Sequence, residues 1–229
     1  MLRQSIRTAY LGSVIKAAEL TSDSVQRSEA GRTLLYSLPS IIEPLDLRDL
    51  FATAQPVEVE LGSGDGSFLV EYARQHPERN FLGIERLLGR IKKMSRKALR
   101  AGLSNLRGVR IESSYLLEYL LPKNSIGALH IYFPDPWPKR KHRENRLING
   151  RFPALAQRVL VRGGTVYLRT DDEDYFTQMR EVFAEASGSF SERETPSELK
   201  GVLTDFEKDF NARGIPTLSV AYCADNNSF

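Results

Sequence analysis

The sequence predicts an α/β fold, a mostly parallel sheet with helices on both faces. Two observations carry this. Short strand-like runs alternate with segments of helical spacing from about residue 57 to 187, the pattern of strands joined by crossover helices. A glycine-rich loop, "GSGDG" at 62–66, links the first such run to the first helix. With no internal repeat or low-complexity tract in between, the chain reads as one doubly wound domain at 45–229. An N-terminal arm at 1–44, partly mobile and without a strong period, precedes it.

Taken in order, "LDLRDLFA" (45–52) has the spacing of a short amphipathic helix. "VEVEL" (57–61) is the first strand, and "FLVEYARQH" (68–76) is helical through Phe68, Leu69, Tyr72 and Ala73. "NFLGIE" (80–85) is the second strand, and the helix at 87–102 is closed by Gly102. "GVRIES" (108–113) reads as the third strand, "YLLEYLL" (115–121) as a short helix and "IGALHIYF" (126–133) as the fourth strand. Residues 148–161 are helical apart from Pro153, 164–170 form a fifth strand, and 173–186 a helix. "TLSVAYCA" (217–224) reads as an edge strand. In such sheets ligands bind beyond the carboxyl ends of the strands, so function is expected near 60–66, 85, 112–114, 134–139 and 170–174.

Composition narrows the classes. No apolar run approaches the roughly 20 residues that span a bilayer, and Lys16 and Glu19 interrupt any signal-like segment, so a cytoplasmic protein without membrane partners is expected. The single Cys223 excludes an internal disulfide, and three scattered histidines suggest no metal site. The net charge of +3 is modest, but its distribution is not. Lys92, Lys93, Arg96, Lys97 and Arg100 form one cluster, and Lys139, Arg140, Lys141, Arg143 and Arg146 another. Clustered cations are the footprint of phosphate binding, although the 92–100 run equally suits a solvated helix face.

Gly62, Gly64 and Gly66 allow close backbone approach to a ligand, but the dinucleotide spacing G-x-G-x-x-G fails at Ser67. Glu60, just before the loop, would repel a pyrophosphate and welcome a cation. Glu85 ends the second strand about 20 residues after the loop, where an acid binds ribose hydroxyls. Together these favour S-adenosylmethionine over a nicotinamide dinucleotide. At the third strand end either Glu112 or Ser113 is placed to meet an adenine amino group. At the fourth, "YFPDPWPK" holds Asp135 between Pro134 and Pro136, whose rings fix φ and remove donors. Trp137 offers a stacking plane or an anchor for the loop, and the cations that follow suit phosphates.

"VELGSGDGSF", "FLGIE", "YFPDPWPKRKH" and "TDDEDY", in this order, resemble the bacterial tRNA (guanine-N7)-methyltransferase family. The resemblance covers roughly residues 45–212, and its PDPWPK-type segment is specific to that family. It implies a Rossmann-like methyltransferase with a seven-stranded sheet, S-adenosylmethionine as methyl donor, and N7 of guanine 46 in the tRNA variable loop as acceptor. It also implies cofactor contacts at Glu60, Glu85 and Asp135, a catalytic role for Asp135, and substrate contacts at Lys139, Asp171, Thr204 and Glu207. The chain departs from the family in having "ESS" at 112–114 and Asp205 within "TDFE" (204–207). "TDDED" (170–174), with Thr170 or Asp171 as N-cap, and "TDFE" as a capping box have alternative readings as helix starts. A methyltransferase for an exocyclic amine and a non-catalytic RNA-binding protein are the rival functions, and a monomer and a homodimer are both open.

Overall fold

The computed structural model describes residues 33–225. Most of the expected arm, residues 1–32, lies outside the described residues. The compact unit that begins at Leu35 holds one eight-stranded sheet, in the order β1-β4-β3-β2-β5-β6-β8-β7. The strands are β1 (Leu35–Tyr36), β2 (Val57–Leu61), β3 (Asn80–Ile84), β4 (Leu106–Val109), β5 (Ile126–Tyr132), β6 (Leu160–Thr170), β7 (Phe190–Arg193) and β8 (Leu218–Ala224). β1 to β6 pair in parallel, and β8 and β7 are antiparallel additions. The helices are α1 (Leu69–Gln75), α2 (Leu88–Arg100), α3 (Ser113–Tyr115, continuing as a π-turn over Leu116–Leu120), α4 (Phe152–Val159), α5 (Glu173–Glu185), α6 (Ser197–Gly201) and α7 (Asp205–Ala212). Among the described residues no helix is long and apolar enough to cross a membrane.

β2 is buried along its whole length, and its alternation divides the layers. Val57, Val59 and Leu61 pack into an apolar cluster with Leu116, Leu117 and Leu120 of α3, Phe152, Ala156 and Val159 of α4, and Tyr175, Met179 and Phe183 of α5. Glu58 and Glu60 face the other side. There Glu58 Oε2 lies 2.7 Å from His130 Nε2, and His130 Nδ1 lies 2.8 Å from the Tyr132 hydroxyl. Arg79 donates to Glu58 Oε1 at 2.9 Å, so this buried acid is fully paired.

The same layer admits α2 through two glycines paired across β3 and β4, Gly83 and Gly108. A Cβ on Gly83 would sit 2.6 Å from Met94 Sδ, and one on Gly108 2.7 Å from Met94 Cε. Met94 is fully buried, and a Cβ on Gly83 would also lie 3.0 Å from Leu69 Cδ2. Gly83→Val is therefore expected to cost about 1–3 kcal/mol, seen as a drop of several degrees in Tm. An unchanged Tm would mean that the Met94 side chain shifts to make room.

The structure corrects the sequence reading at several elements. The sheet has eight strands rather than seven, because the two-residue β1 pairs with β4. The 217–224 segment is not an edge: β8 lies between β6 and β7, and the short charged β7 takes the edge. The third strand ends at Val109 rather than at 113. The helix expected over 148–161 begins only at Phe152, with Pro153 in its first turn. It gives way at Leu160 to β6, whose Val161–Gly164 stretch bulges between the Ile126–Leu160 and Ala128–Thr165 pairs. The amphipathic helix at 45–52 is a single 3-10 turn, Leu47–Asp49.

The order reverses between β2 and β5: connections run outward through β3 and β4, then return to β5 and β6. A crevice opens at such a switch point, beyond the strand ends. It brings the loop after β2 beside the loop after β5.

Candidate active site

The loop after β2 is tied to the end of β3, where Gly62 N and Ser63 N both donate to Ile84 O, at 2.9 and 2.8 Å. Gly62 and Gly64 have φ of +82° and +55°, and nothing lies within 4 Å of a Cβ on either. These two glycines supply the left-handed turn and leave open space for a ligand. Gly66 differs, since a Cβ there would meet Met94 Cγ, so it serves packing. Lys97 of α2 pins the loop by an ion pair with Asp65 at 2.8 Å, which removes it from the free basic cluster. Lys92, Lys93, Arg96 and Arg100 are exposed.

Two adjoining cavities occupy the crevice. The larger, about 480 Å³, is lined by Glu85, Glu112, Ser113, Asp135 and Trp137 among others. The smaller, about 280 Å³, is lined by Glu60, Ser63, Asp65, Lys93, Thr204 and Asp205 among others. Gly62, Arg90, Tyr132 and Phe133 belong to both.

Glu60 is 4% exposed, and its Oε2 is buried with no hydrogen-bond partner among the described residues. Burial pushes its carboxyl up to about 8, against the opposing pull of Arg169 and with further push from Asp65 and Glu85. An orphaned carboxylate beside an open cavity is the complement of a cationic ligand group. Glu85 accepts from Leu87 N at 2.7 Å through Oε1, which orients it toward the cavity that it lines. Glu112 turns out to be the N-cap of α3, accepting from Ser114 N at 3.0 Å and Tyr115 N at 2.8 Å. Both of its oxygens are engaged, whereas the Ser113 hydroxyl beside it has no hydrogen-bond partner among the described residues.

The loop after β5 is bent at both ends by residues other than glycine in left-handed conformation, Phe133 at φ +50° and Trp137 at +43°. Each such residue costs on the order of 1–2 kcal/mol, and between them Asp135 is exposed on the cavity wall. Trp137 is not a core anchor. It is 37% exposed, with its ring stacked on His142 at 5.8 Å and 9°.

The basic run that follows splits in two. Lys139 and Lys141 are exposed, and Arg143 reaches Asp174 at 2.6 Å. Arg146, read from the sequence as one of the phosphate-binding cations, is instead only 1% exposed. It is unavailable to a phosphate because three hydrogen bonds hold it inside the protein.

Neither Lys139 nor Asp171 is among the residues lining the two cavities. The N-cap of α5 is Asp172, not Thr170 or Asp171, with Oδ1 accepting from Tyr175 N at 2.7 Å. Asp171, half-buried, is thereby spared from capping. Thr204 and Glu207 form the expected capping box of α7, and both are buried. Glu207 Oε2 also accepts from Arg169 Nη1 at 3.0 Å. Arg169 in turn donates to the carbonyls of Val202 and Leu199 and stacks over Tyr132 at 4.3 Å. This knot seats α7 beside the smaller cavity.

The sequence profile of the family described as "Putative methyltransferase" (Methyltransf_4) matches residues 54–219. A tRNA (guanine-N(7)-)-methyltransferase of Sodalis glossinidius is 38% identical over 170 residues, 72% of this chain and 71% of that protein. The chain belongs to this methyltransferase family. A second relative of the same name, from Nitrosomonas eutropha, is 39% identical over 61% of this chain, which spans 62% of that relative's length. Among solved structures, the 16S rRNA methyltransferase KamB superimposes with a TM-score of 0.57 at 19% identity, covering 80% of this chain and 95% of its own, a likeness of fold.

Several lining residues escaped the sequence reading. Tyr132 and Phe133 sit inside what looks like an ordinary strand end. Arg90 lies at the start of α2, upstream of the cation cluster. Asp205 appeared only as a departure from the family pattern. S-adenosylmethionine fits this cradle, since the orphaned Glu60 oxygen suits a cationic ligand and the open space at Gly62 and Gly64 admits close approach to the backbone.

Proposed function

We propose that this protein transfers a methyl group from S-adenosylmethionine to N7 of a guanine in tRNA, at position 46 of the variable loop. The observation that carries the reading is Asp135. It lies in a strained, proline-framed loop, on the same cavity as Glu85, and that cavity adjoins the one that Glu60 lines. In this reading Glu60 holds the cofactor's ammonium, Glu85 its ribose hydroxyls, and Ser113 or Glu112 its adenine. Since both Glu112 oxygens already accept from amides, Ser113 is the favoured contact. When bound, the cofactor supplies a methyl carbon activated by a sulfonium.

Guanine N7 is an acceptor that carries no proton. Asp135 therefore has no proton to remove. Its tasks are to orient the base and to oppose the positive charge that the base acquires. The exposed Trp137 ring offers a plane beside Asp135 on which a purine can lie. Lys139 and Lys141 meet backbone phosphates, and Asp171, free of the cap, is available to an RNA donor group. Thr204 and Glu207 act on the substrate through the rim of α7 that their capping box and the Arg169 pair hold in place.

Replacing Lys139 and Lys141 with alanine is expected to weaken tRNA binding and flatten the slope of log K against log[salt] by about 1–2. An unchanged slope would make the run a solvated face. The function itself is tested by incubation with bulk tRNA and labelled cofactor, followed by nucleoside analysis, which must yield N7-methylguanosine.

A further inference from the structure

We infer that Arg146 is a positioning residue for Asp135, acting through the backbone of the proline-framed loop rather than on RNA. The inference rests on the proposed methyl transfer for its kinetic consequence, but not for its geometry.

Prolines at 134, 136 and 138 leave this loop few donors of its own. Phe133 N donates to Arg169 O at 2.8 Å, and Lys139 O accepts from His142 N at 2.8 Å. Between these two points, the hydrogen bond from Arg146 Nε to Pro136 O at 2.7 Å is the one that ties the loop down among the described residues. Pro136 is the immediate neighbour of Asp135.

The guanidinium is itself held from every side. Nη1 donates to Gln178 Oε1 at 2.7 Å, Nη2 donates to Asp174 Oδ2 at 2.7 Å, and the plane lies over the Tyr175 ring at 4.6 Å. All three partners belong to one face of α5. That face is in turn fixed to residue 148, whose N–H donates to the Tyr175 hydroxyl at 2.9 Å and whose carbonyl accepts from Gln178 Nε2 at 3.0 Å. Arg146 thus transmits the position of a long, packed helix to a loop bent by two left-handed residues. Only the planar guanidinium fork of arginine offers Nε, Nη1 and Nη2 at once to three separate acceptors, here Pro136 O, Gln178 Oε1 and Asp174 Oδ2. A lysine could reach one partner but not all three. An offset of the order of 1 Å at a reacting group can cost about 10²-fold in rate.

The test compares wild type with Arg146→Lys and with Gln178→Ala, which loosens Arg146 without removing it. Trp137 is the chain's only tryptophan, and it sits in the same loop, so its fluorescence reports the loop with no tRNA present. Acrylamide quenching of Trp137 is expected to rise at least twofold in Arg146→Lys, and less in Gln178→Ala. In the same order kcat should fall by about 10–100-fold and about 3–10-fold. KM for tRNA and its salt slope should stay within about twofold of wild type, and so should calorimetric affinity for S-adenosylmethionine. Unchanged quenching in both variants would overturn the inference. So would a kcat that holds while tRNA affinity and salt slope fall, the signature of a phosphate contact. Altered quenching in a protein whose wild type yields no N7-methylguanosine would uphold the positioning of the loop and overturn the functional reading alone.

Discussion

Asp135→Ala is expected to lower kcat for tRNA methylation by about 10²–10³-fold, the range seen when one preorganised electrostatic group is removed from an active site. Stability should be almost untouched. Asp135 is exposed, its side chain makes no hydrogen bond among the described residues, and surface changes of that kind stay within about 0.5 kcal/mol. The bend of the loop survives because it resides in Phe133, Trp137 and the flanking prolines. Asp135→Asn keeps the shape and loses the charge, so it separates the two tasks assigned to this residue. If orientation dominates, the amide retains most of the rate. If opposition to the growing charge dominates, it falls as far as alanine. Single-turnover methyl transfer with saturating cofactor measures both. A near-normal rate in Asp135→Ala would remove this residue from the chemistry.

Glu60→Gln is expected to make the free protein more stable and a poorer binder of S-adenosylmethionine at once. Burial holds the Glu60 carboxyl at about 8 in the folded chain. In the unfolded chain the same group has the ordinary glutamate value near 4.3. Above that value the unfolded state sheds its proton while the folded state keeps it, so stability falls as pH rises toward about 8. By linkage this withdraws about 3–4 kcal/mol by pH 7. Glutamine abolishes the decline. Tm at pH 7 to 8 should rise by several degrees, with little change near pH 5.

Cofactor affinity moves the opposite way. Loss of one charge-assisted contact, worth roughly 1.5–3 kcal/mol, weakens binding by about 10–100-fold. In the wild type, affinity should climb between pH 6 and 8 as Glu60 becomes easier to ionise, and the variant should lose that climb. Calorimetric titrations and thermal melts across this range check both halves. A variant that melts lower at pH 8, or keeps the pH dependence of binding, would assign the orphaned oxygen to something other than the cofactor's ammonium.

The parts of this molecule that were legible in the sequence are those governed by local pattern. β2 was read to the residue because a five-residue strand buried on both faces and followed by glycines has few other readings. Gly62, Gly64, Glu60, Glu85 and Asp135, read from the sequence as strand-end residues, line the two cavities because a doubly wound sheet puts strand ends in one crevice. What was missed depends on partners far along the chain. Arg146 looked like one more cation until Asp174, 28 positions away, drew it inside. The cap of α5 fell to Asp172 rather than to its neighbours because only that carboxylate reaches the Tyr175 amide. Nothing in the sequence showed that Glu112, a candidate ligand, also caps the first turn of α3 with both oxygens. β7 is four residues long and half charged, and it exists as a strand because β8 offers it an edge.

On the proposed reading, this cleft carries a methyl group to N7 of guanine in tRNA. That transfer is tested most directly by methylating unmodified tRNA with isotopically labelled S-adenosylmethionine, then digesting to nucleosides and mapping the site by borohydride and aniline scission. Label recovered as N7-methylguanosine, with strand cleavage at position 46, is the predicted result. Label on an exocyclic amine of adenine or cytosine, or no transfer by a protein that binds the cofactor, would contradict it.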